Sequence, residues 1–108
     1  MTIDEAKLIF SGIKKSSFYA LEANLVKSAI RYAHIRVDWE LSSAHVRRDM
    51  DDERTRSHNT FIDSCNILSR NMAKNSEDNT WRQLLGDDRK TIGNFACSLH
   101  CLLGLKAR

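Results

Sequence analysis

The segment from Arg56 to Arg70 holds the densest set of side chains able to do chemistry, reading RSHNTFIDSCNILSR. At 100° per residue of α-helix, four of its polar residues fall on a strip about 60° wide, beside an apolar face. This polar seam consists of Asn59, Asp63, Asn66 and Arg70. One carboxylate and two amides supply too few hard oxygen ligands for a dedicated metal cage. The seam predicts either hydrogen bonds between two helices or a small-molecule site, binding or enzymatic, with His58 at its margin.

A second candidate combines cysteine and histidine near the end of the sequence. Cys97, His100 and Cys101 are spaced three and four residues apart, which makes them neighbours on one helix. Zinc needs four ligands, so Cys65 from another helix would have to complete the set. Because these cysteines alternate with apolar residues such as Leu99, buried unpaired core cysteine is the favoured interpretation. We therefore predict no metal and no cofactor.

A third polar group lies just before the last apolar stretch. Asp87 and Asp88 precede Arg89 and Lys90. Acids before a helix are the ordinary capping arrangement, since they face the positive end of the helix dipole. We expect one of them to cap the last helix and these acids to pair with Arg56 or Arg70.

Several enzyme classes lack their motifs in this sequence: no GxxxxGK[ST] loop, GxGxxG, HExxH or GxSxG is present. Glu22, Asp38 and Glu40 do not repeat as the magnesium-binding acids of small helical pyrophosphatases do. Arg54 precedes His58 with three intervening residues, which is too short for the small helical ribonucleases. We therefore expect a protein that is not an enzyme.

The composition indicates which elements must position these residues. The chain has 108 residues, no Pro and only four Gly. That length fits a single domain spanning 1–108, and the shortage of turn-forming residues favours long helices over strands. We predict an all-α fold, a bundle of four to five helices with one long central helix.

The individual helices follow from caps and apolar spacing. Thr2 and Glu5 form a capping box for a short helix that ends near Gly12. Ser16 or Ser17 begins a long second helix. The predicted third helix starts at the acids from Asp49 onward and runs to about Lys74. A short turn then spans Thr80, its expected cap, to Gly86, and the last helix begins after Asp87 or Asp88.

The second helix carries two neighbouring apolar stripes, which together make a wide face. The first stripe is Phe18, Leu21, Leu25, Tyr32, Ile35 and Trp39, and the second is Val26, Ile30, Ala33, Val37, Leu41 and Ala44. Such a face needs more than one partner helix to cover it. This width predicts either a central position in the bundle or a dimer.

Charge and cysteine content indicate the partners and the cellular compartment of the protein. The net charge of +3 is spread along the chain, which makes nucleic-acid binding the least favoured function. Its candidate residues would be Arg47, Arg48, Arg54 and Arg56. Three cysteines cannot all pair within one chain, and we see neither a secretory leader nor an apolar run long enough to cross a bilayer. These features predict a cytoplasmic protein without a membrane partner.

Two motifs carry a family resemblance: HNxxIDxxNxLxR at His58 to Arg70, and DRxxIGxFA at Asp88 to Ala96. They resemble small uncharacterised bacterial all-helical proteins grouped as a domain of unknown function. The resemblance covers about residues 50–103. It implies a helical fold and a bacterial or phage source, and it implies no activity.

The sequence thus favours a small cytosolic binding or regulatory protein that acts through helix packing. We expect self-association as a homodimer through the wide face of the second helix, or pairing with another helical protein. The alternative is a small-molecule or enzymatic site on the polar seam with His58.

Overall fold

Five α-helices and no strand make up residues 1–104, the part of the chain that the computed structural model describes. They are α1 (Ile3–Lys14), α2 (Tyr19–Leu41), α3 (Ala44–Lys74), α4 (Thr80–Leu85) and α5 (Arg89–Leu102). The predicted all-α bundle of four to five helices is confirmed. No helix in this described part is both long enough and apolar enough to span a membrane.

The molecule is organised around a hairpin of its two longest helices. α2 has 23 residues and α3 has 31 residues, and only Ser42 and Ser43 connect them. At 1.5 Å per residue α3 is about 46 Å long, which accounts for the 47 Å long dimension of the protein. α5 packs on α2, while α1 packs on α4 and α5. α2 therefore packs against two helices, α3 and α5.

The core fills the space between these helices with the apolar positions that the periodicity selects. Its fully enclosed aromatic side chains are Tyr32, Phe61 and Phe95. Phe61 stacks on Phe95 with ring centroids 6.3 Å apart and contacts Tyr32 at 6.4 Å. These three rings join α2, α3 and α5 at the centre of the molecule.

Three predicted helix ends are confirmed by their hydrogen bonds. The Thr2 hydroxyl accepts from the Glu5 amide at 3.1 Å, and the Asp88 carboxylate accepts from the Thr91 amide at 3.0 Å. Gly86 ends α4 with φ +71°, a left-handed conformation that suits glycine.

The predicted end of α1 at Gly12 is wrong, because the helix continues to Lys14. Gly12 instead allows a close helix contact: a Cβ at this position would lie 2.8 Å from the Cβ of Trp81. Gly12 therefore permits close packing of α1 on α4 and does not end the helix.

The predicted start of α3 at Asp49 is also wrong. The helix begins at Ala44, and the Ser43 hydroxyl caps it by accepting from the Val46 amide. The acids lie inside the helix on its exposed side, where Asp51 pairs with Arg54 one turn away. Their charges are balanced along the helix surface instead of by the helix dipole.

Thr80 was the expected cap of α4, but Asn79 occupies the cap position and makes no side-chain capping bond. The Asp78 carboxylate accepts from both the backbone amide and the hydroxyl of Thr80. These hydrogen bonds hold the pKa of Asp78 below its usual value. Asp78, one residue before the cap position, thus organises the start of α4.

Candidate functional site

The polar seam lies along α3, but its members do not act together. Asn59, Asp63 and Arg70 are exposed, whereas Asn66 is half-buried. His58 and Asn59 are joined by a contact of 3.2 Å between Nδ1 and Oδ1. The structure therefore pairs His58 with one end of the seam and separates Asn66 from it.

Asn66 belongs to a cluster around Arg82, a residue that the sequence did not single out. Arg82 donates from Nε to the Asn66 side-chain oxygen at 2.8 Å and from Nη1 to the Gly86 carbonyl at 2.7 Å. Its Nη2 donates to the Asp87 carboxylate at 2.7 Å. The predicted pairing of Asp87 with Arg56 or Arg70 is wrong, because Arg82 already binds the Asp87 carboxylate.

An open cavity of about 530 Å³ borders this cluster between α3 and α4. It is lined by Asn66, Arg82, Gln83, Gly86 and Asp87. The Arg82 side chain is only 15% exposed, and its hydrogen bonds tie α3 to the C-terminal end of α4. This arrangement can fix the register of the two helices, and it also gives the cavity a polar wall.

Replacing Asn66 with Ala should lower the free energy of unfolding by about 1–3 kcal/mol, since the change removes the acceptor of a half-buried guanidinium hydrogen bond. Asn59→Ala and Asp63→Ala should each change it by less than about 0.5 kcal/mol, because both side chains are exposed. Urea unfolding of the three variants measures the difference. Equal stability of all three would contradict a joining role for Asn66.

The three cysteines do not meet in space as a zinc site would require. Cys65 is completely buried in the core, and burial raises the pKa of its thiol to about 12 despite the nearby charge of Arg82. Cys97 is half-buried against the core, whereas Cys101 is exposed, so the expectation of a core residue is wrong for Cys101. Within residues 1–104 no three His, Cys, Asp or Glu side chains are placed to hold a metal ion.

His100 instead contacts a histidine that the sequence did not single out. Its Nε2 lies 3.1 Å from Nε2 of His34 on α2. A cavity of about 380 Å³ between α2 and α5 surrounds this pair and includes Val37, Cys97 and Cys101 in its lining. A hydrogen bond between two imidazole rings joins the helices here, with one ring donating and the other accepting.

The last turns of α2 leave part of the wide apolar face uncovered. Val37 is 45% exposed and Leu41 is 82% exposed, and the two lie four residues apart on one side of the helix. Ala33, one turn earlier on the same stripe, is buried. We call Val37 and Leu41 the uncovered end of α2.

Two of the four arginines considered for nucleic-acid binding are engaged within the chain. The guanidinium groups of Arg47 and Arg54 lie 4.5 Å and 4.0 Å from the Trp39 ring. Arg47 also donates to the carbonyl oxygens of Trp39 and Glu40 at the end of α2. These contacts brace the connection between α2 and α3 and leave Arg48 and Arg56 as exposed arginines on α3.

No family model, curated protein or solved structure matches this chain. The resemblance of residues 58–70 and 88–96 to small bacterial helical proteins therefore stays a prediction.

Proposed function

We propose that the protein is a small cytosolic binding or regulatory module that forms a homodimer through the uncovered end of α2. The observation that carries this proposal is the exposure of Leu41 and Val37, 82% and 45%, on one face of the helix. Burying a leucine side chain contributes about 1.5–3 kcal/mol, and a twofold dimer uses the same surface twice. Two exposed apolar side chains per copy thus provide a driving force for pairing.

The charges around this end favour a second copy over a strongly charged partner. Asp38 and Glu40 lie on the last turns of α2, and Arg47 and Arg48 lie on the first turns of α3. A surface with both signs can complement its own copy, whereas a single-sign surface would repel it. Mixed charge beside exposed apolar residues supports self-association.

The cytosolic part of the proposal is supported by the cysteines. Cys65, Cys97 and Cys101 are all free thiols. Free thiols are typical of reducing compartments, where disulfides rarely persist.

The oligomeric state tests this proposal directly. Wild-type protein should have twice the chain mass at high concentration in sedimentation or light-scattering measurements. Leu41→Glu should shift it to the monomer, because a charge cannot be buried in an apolar interface without a large penalty. Leu84→Glu is the matched control, since this leucine on α4 is also exposed, at 51%, and lies on another helix.

Two outcomes would overturn the homodimer. One is a wild-type protein that stays monomeric at the highest concentration reached. The other is a dimer that Leu41→Glu leaves intact and Leu84→Glu dissociates, which would place the interface on α4.

A small-molecule site on the polar seam is the second candidate function. The cavity beside Asn66 and Arg82 supports it, because amide and guanidinium groups there can recognise a polar ligand edge. The other predicted members are His58, Asn59, Asp63 and Arg70, which lie elsewhere along α3 and are absent from the lining of this cavity. A ligand at this site should raise the melting temperature of wild type and fail to do so for Arg82→Gln.

A further inference from the structure

Four basic side chains from three helices line one cavity between α2, α3 and α5. Its volume is about 250 Å³, and its floor is the buried ring of Tyr32. The cations are Arg36 from α2, Arg54 from α3, and Arg89 and Lys90 from α5. No carboxylate in the described part of the chain contributes to this lining.

Arg36 is held in place by the surface of α5. Its guanidinium lies directly over Gly93, where a Cβ atom would come within 2.3 Å of Nη1. The same Nη1 donates to the Asn94 side-chain oxygen at 3.1 Å. Gly93 therefore provides the space in which this cation rests beside the cavity.

Arg54 is held from the α2 side. Its guanidinium stacks on the Trp39 ring at 4.0 Å, and its side chain is 23% exposed. Because Arg36 and Arg54 are both fixed by neighbours, little side-chain entropy is left to lose when a ligand binds.

The carboxylates nearest to these two arginines neutralise them only weakly. Asp51 lies 3.8 Å from Arg54 Nη1 and also accepts a hydrogen bond from the indole of Trp39. Glu40 lies 3.9 Å from Arg36 Nε. Both carboxylates are more than half exposed, so solvent screens these ion pairs. The cavity consequently retains an excess of positive charge.

Among the described residues Arg54 Nε, a buried nitrogen of a side chain that lines the cavity, has no hydrogen-bond partner. An unpartnered buried donor is costly, and most such groups in native proteins have a partner. An anion in the cavity would give the Arg54 side chain an acceptor.

We propose that this cavity binds the phosphate group of a small molecule. Guanidinium groups present forked donors that match the oxygens of a phosphate, and three of them converge here beside one ammonium group. A volume of about 250 Å³ holds a phosphate with a few further atoms. The inference is independent of the homodimer, because its residues do not include Val37 or Leu41.

Calorimetric titration with inorganic phosphate and with glycerol phosphate, at fixed ionic strength, tests the proposal. Both should bind, and Arg54→Gln and Arg89→Gln should each weaken binding about tenfold or more, since each removes a charged donor. Gly93→Ala should also weaken binding while keeping every charge, because it displaces Arg36. Arg48→Gln is the matched control and should leave affinity unchanged, since it removes the same charge from an exposed position outside the lining.

Nuclear magnetic resonance locates the ligand independently. Inorganic phosphate should shift the Arg54 Nε–Hε resonance and the backbone amide resonances around Arg89 and Gly93. The Lys90→Gln variant is altered at an exposed position. Melting curves should show that it remains folded, and the titration should show that it binds phosphate more weakly. Absence of any shift at millimolar phosphate would overturn the site. So would equal weakening by Arg48→Gln, which indicates non-specific attraction. Binding of a single-stranded oligonucleotide that Arg48→Gln and Arg56→Gln weaken as much as Arg54→Gln would replace the small-molecule site with a nucleic-acid surface.

Discussion

Replacing Phe61 with Ala is expected to lower the free energy of unfolding by about 3–5 kcal/mol. The ring is completely buried, stacks on Phe95 and contacts Tyr32, so the change empties a space shared by α2, α3 and α5. Lost burial and the remaining cavity both contribute, as do the lost aromatic contacts. Since small domains are stable by about 5–15 kcal/mol, this variant should be near the limit of folding.

Urea unfolding at one protein concentration measures this effect, because a dimer would make stability concentration-dependent. Phe61→Leu keeps most of the apolar volume and should cost less than Phe61→Ala. Leu84→Ala, at an exposed position, should change stability by less than about 0.5 kcal/mol. A Phe61→Ala protein as stable as the Leu84→Ala protein would show that the three rings are not the centre of the core.

The sequence predicted the fold well wherever one local signal determined the outcome. Thr2 and Asp88 cap helices because their side-chain oxygens reach an amide three residues ahead, which depends on local geometry alone. Phe61 and Phe95 lie among apolar residues at helical spacing and are buried in the core. Such signals need no knowledge of the rest of the chain.

The errors arose where one local signal has two possible causes. A glycine in a helix pattern can end the helix or admit a neighbour, and Gly12 does the second because Trp81 packs against it. Likewise a run of acids can begin a helix or cover its exposed side. Ser43 supplied the competing cap that decided the case, since its hydroxyl starts α3 at Ala44, five residues before Asp49.

Sites built from several helices were the least predictable. The seam spacing correctly placed four polar residues along one helix, but Asn66 depends on Arg82, which comes from α4. The basic cavity draws Arg36, Arg54 and Arg89 from three helices, and no spacing within one helix brings them together. Identifying such sites requires the packing of α2, α3 and α5.

The stability of the protein should fall as pH rises above 9 because of Cys65. Burial raises the pKa of this thiol from 9.0 to about 12 in the folded protein. Between these values the unfolded chain releases the thiol proton and the folded chain keeps it. Stability from the neutral thiol is therefore complete below pH 9 and is lost as pH rises toward 12, at about 1.4 kcal/mol per pH unit.

Urea unfolding at several pH values from 7.5 to about 10.5 tests this pH dependence, with Cys65→Ala as the matched variant. The alanine creates a small cavity, whose cost does not depend on pH, and the two proteins share every other ionisable side chain. The stability curve of wild type should thus fall more steeply than that of Cys65→Ala. A thiol reagent should modify exposed Cys101 in the native protein and reach Cys65 only on unfolding. Parallel stability curves would mean that water or a nearby charge, such as Arg82, stabilises the buried thiolate more than the core packing indicates.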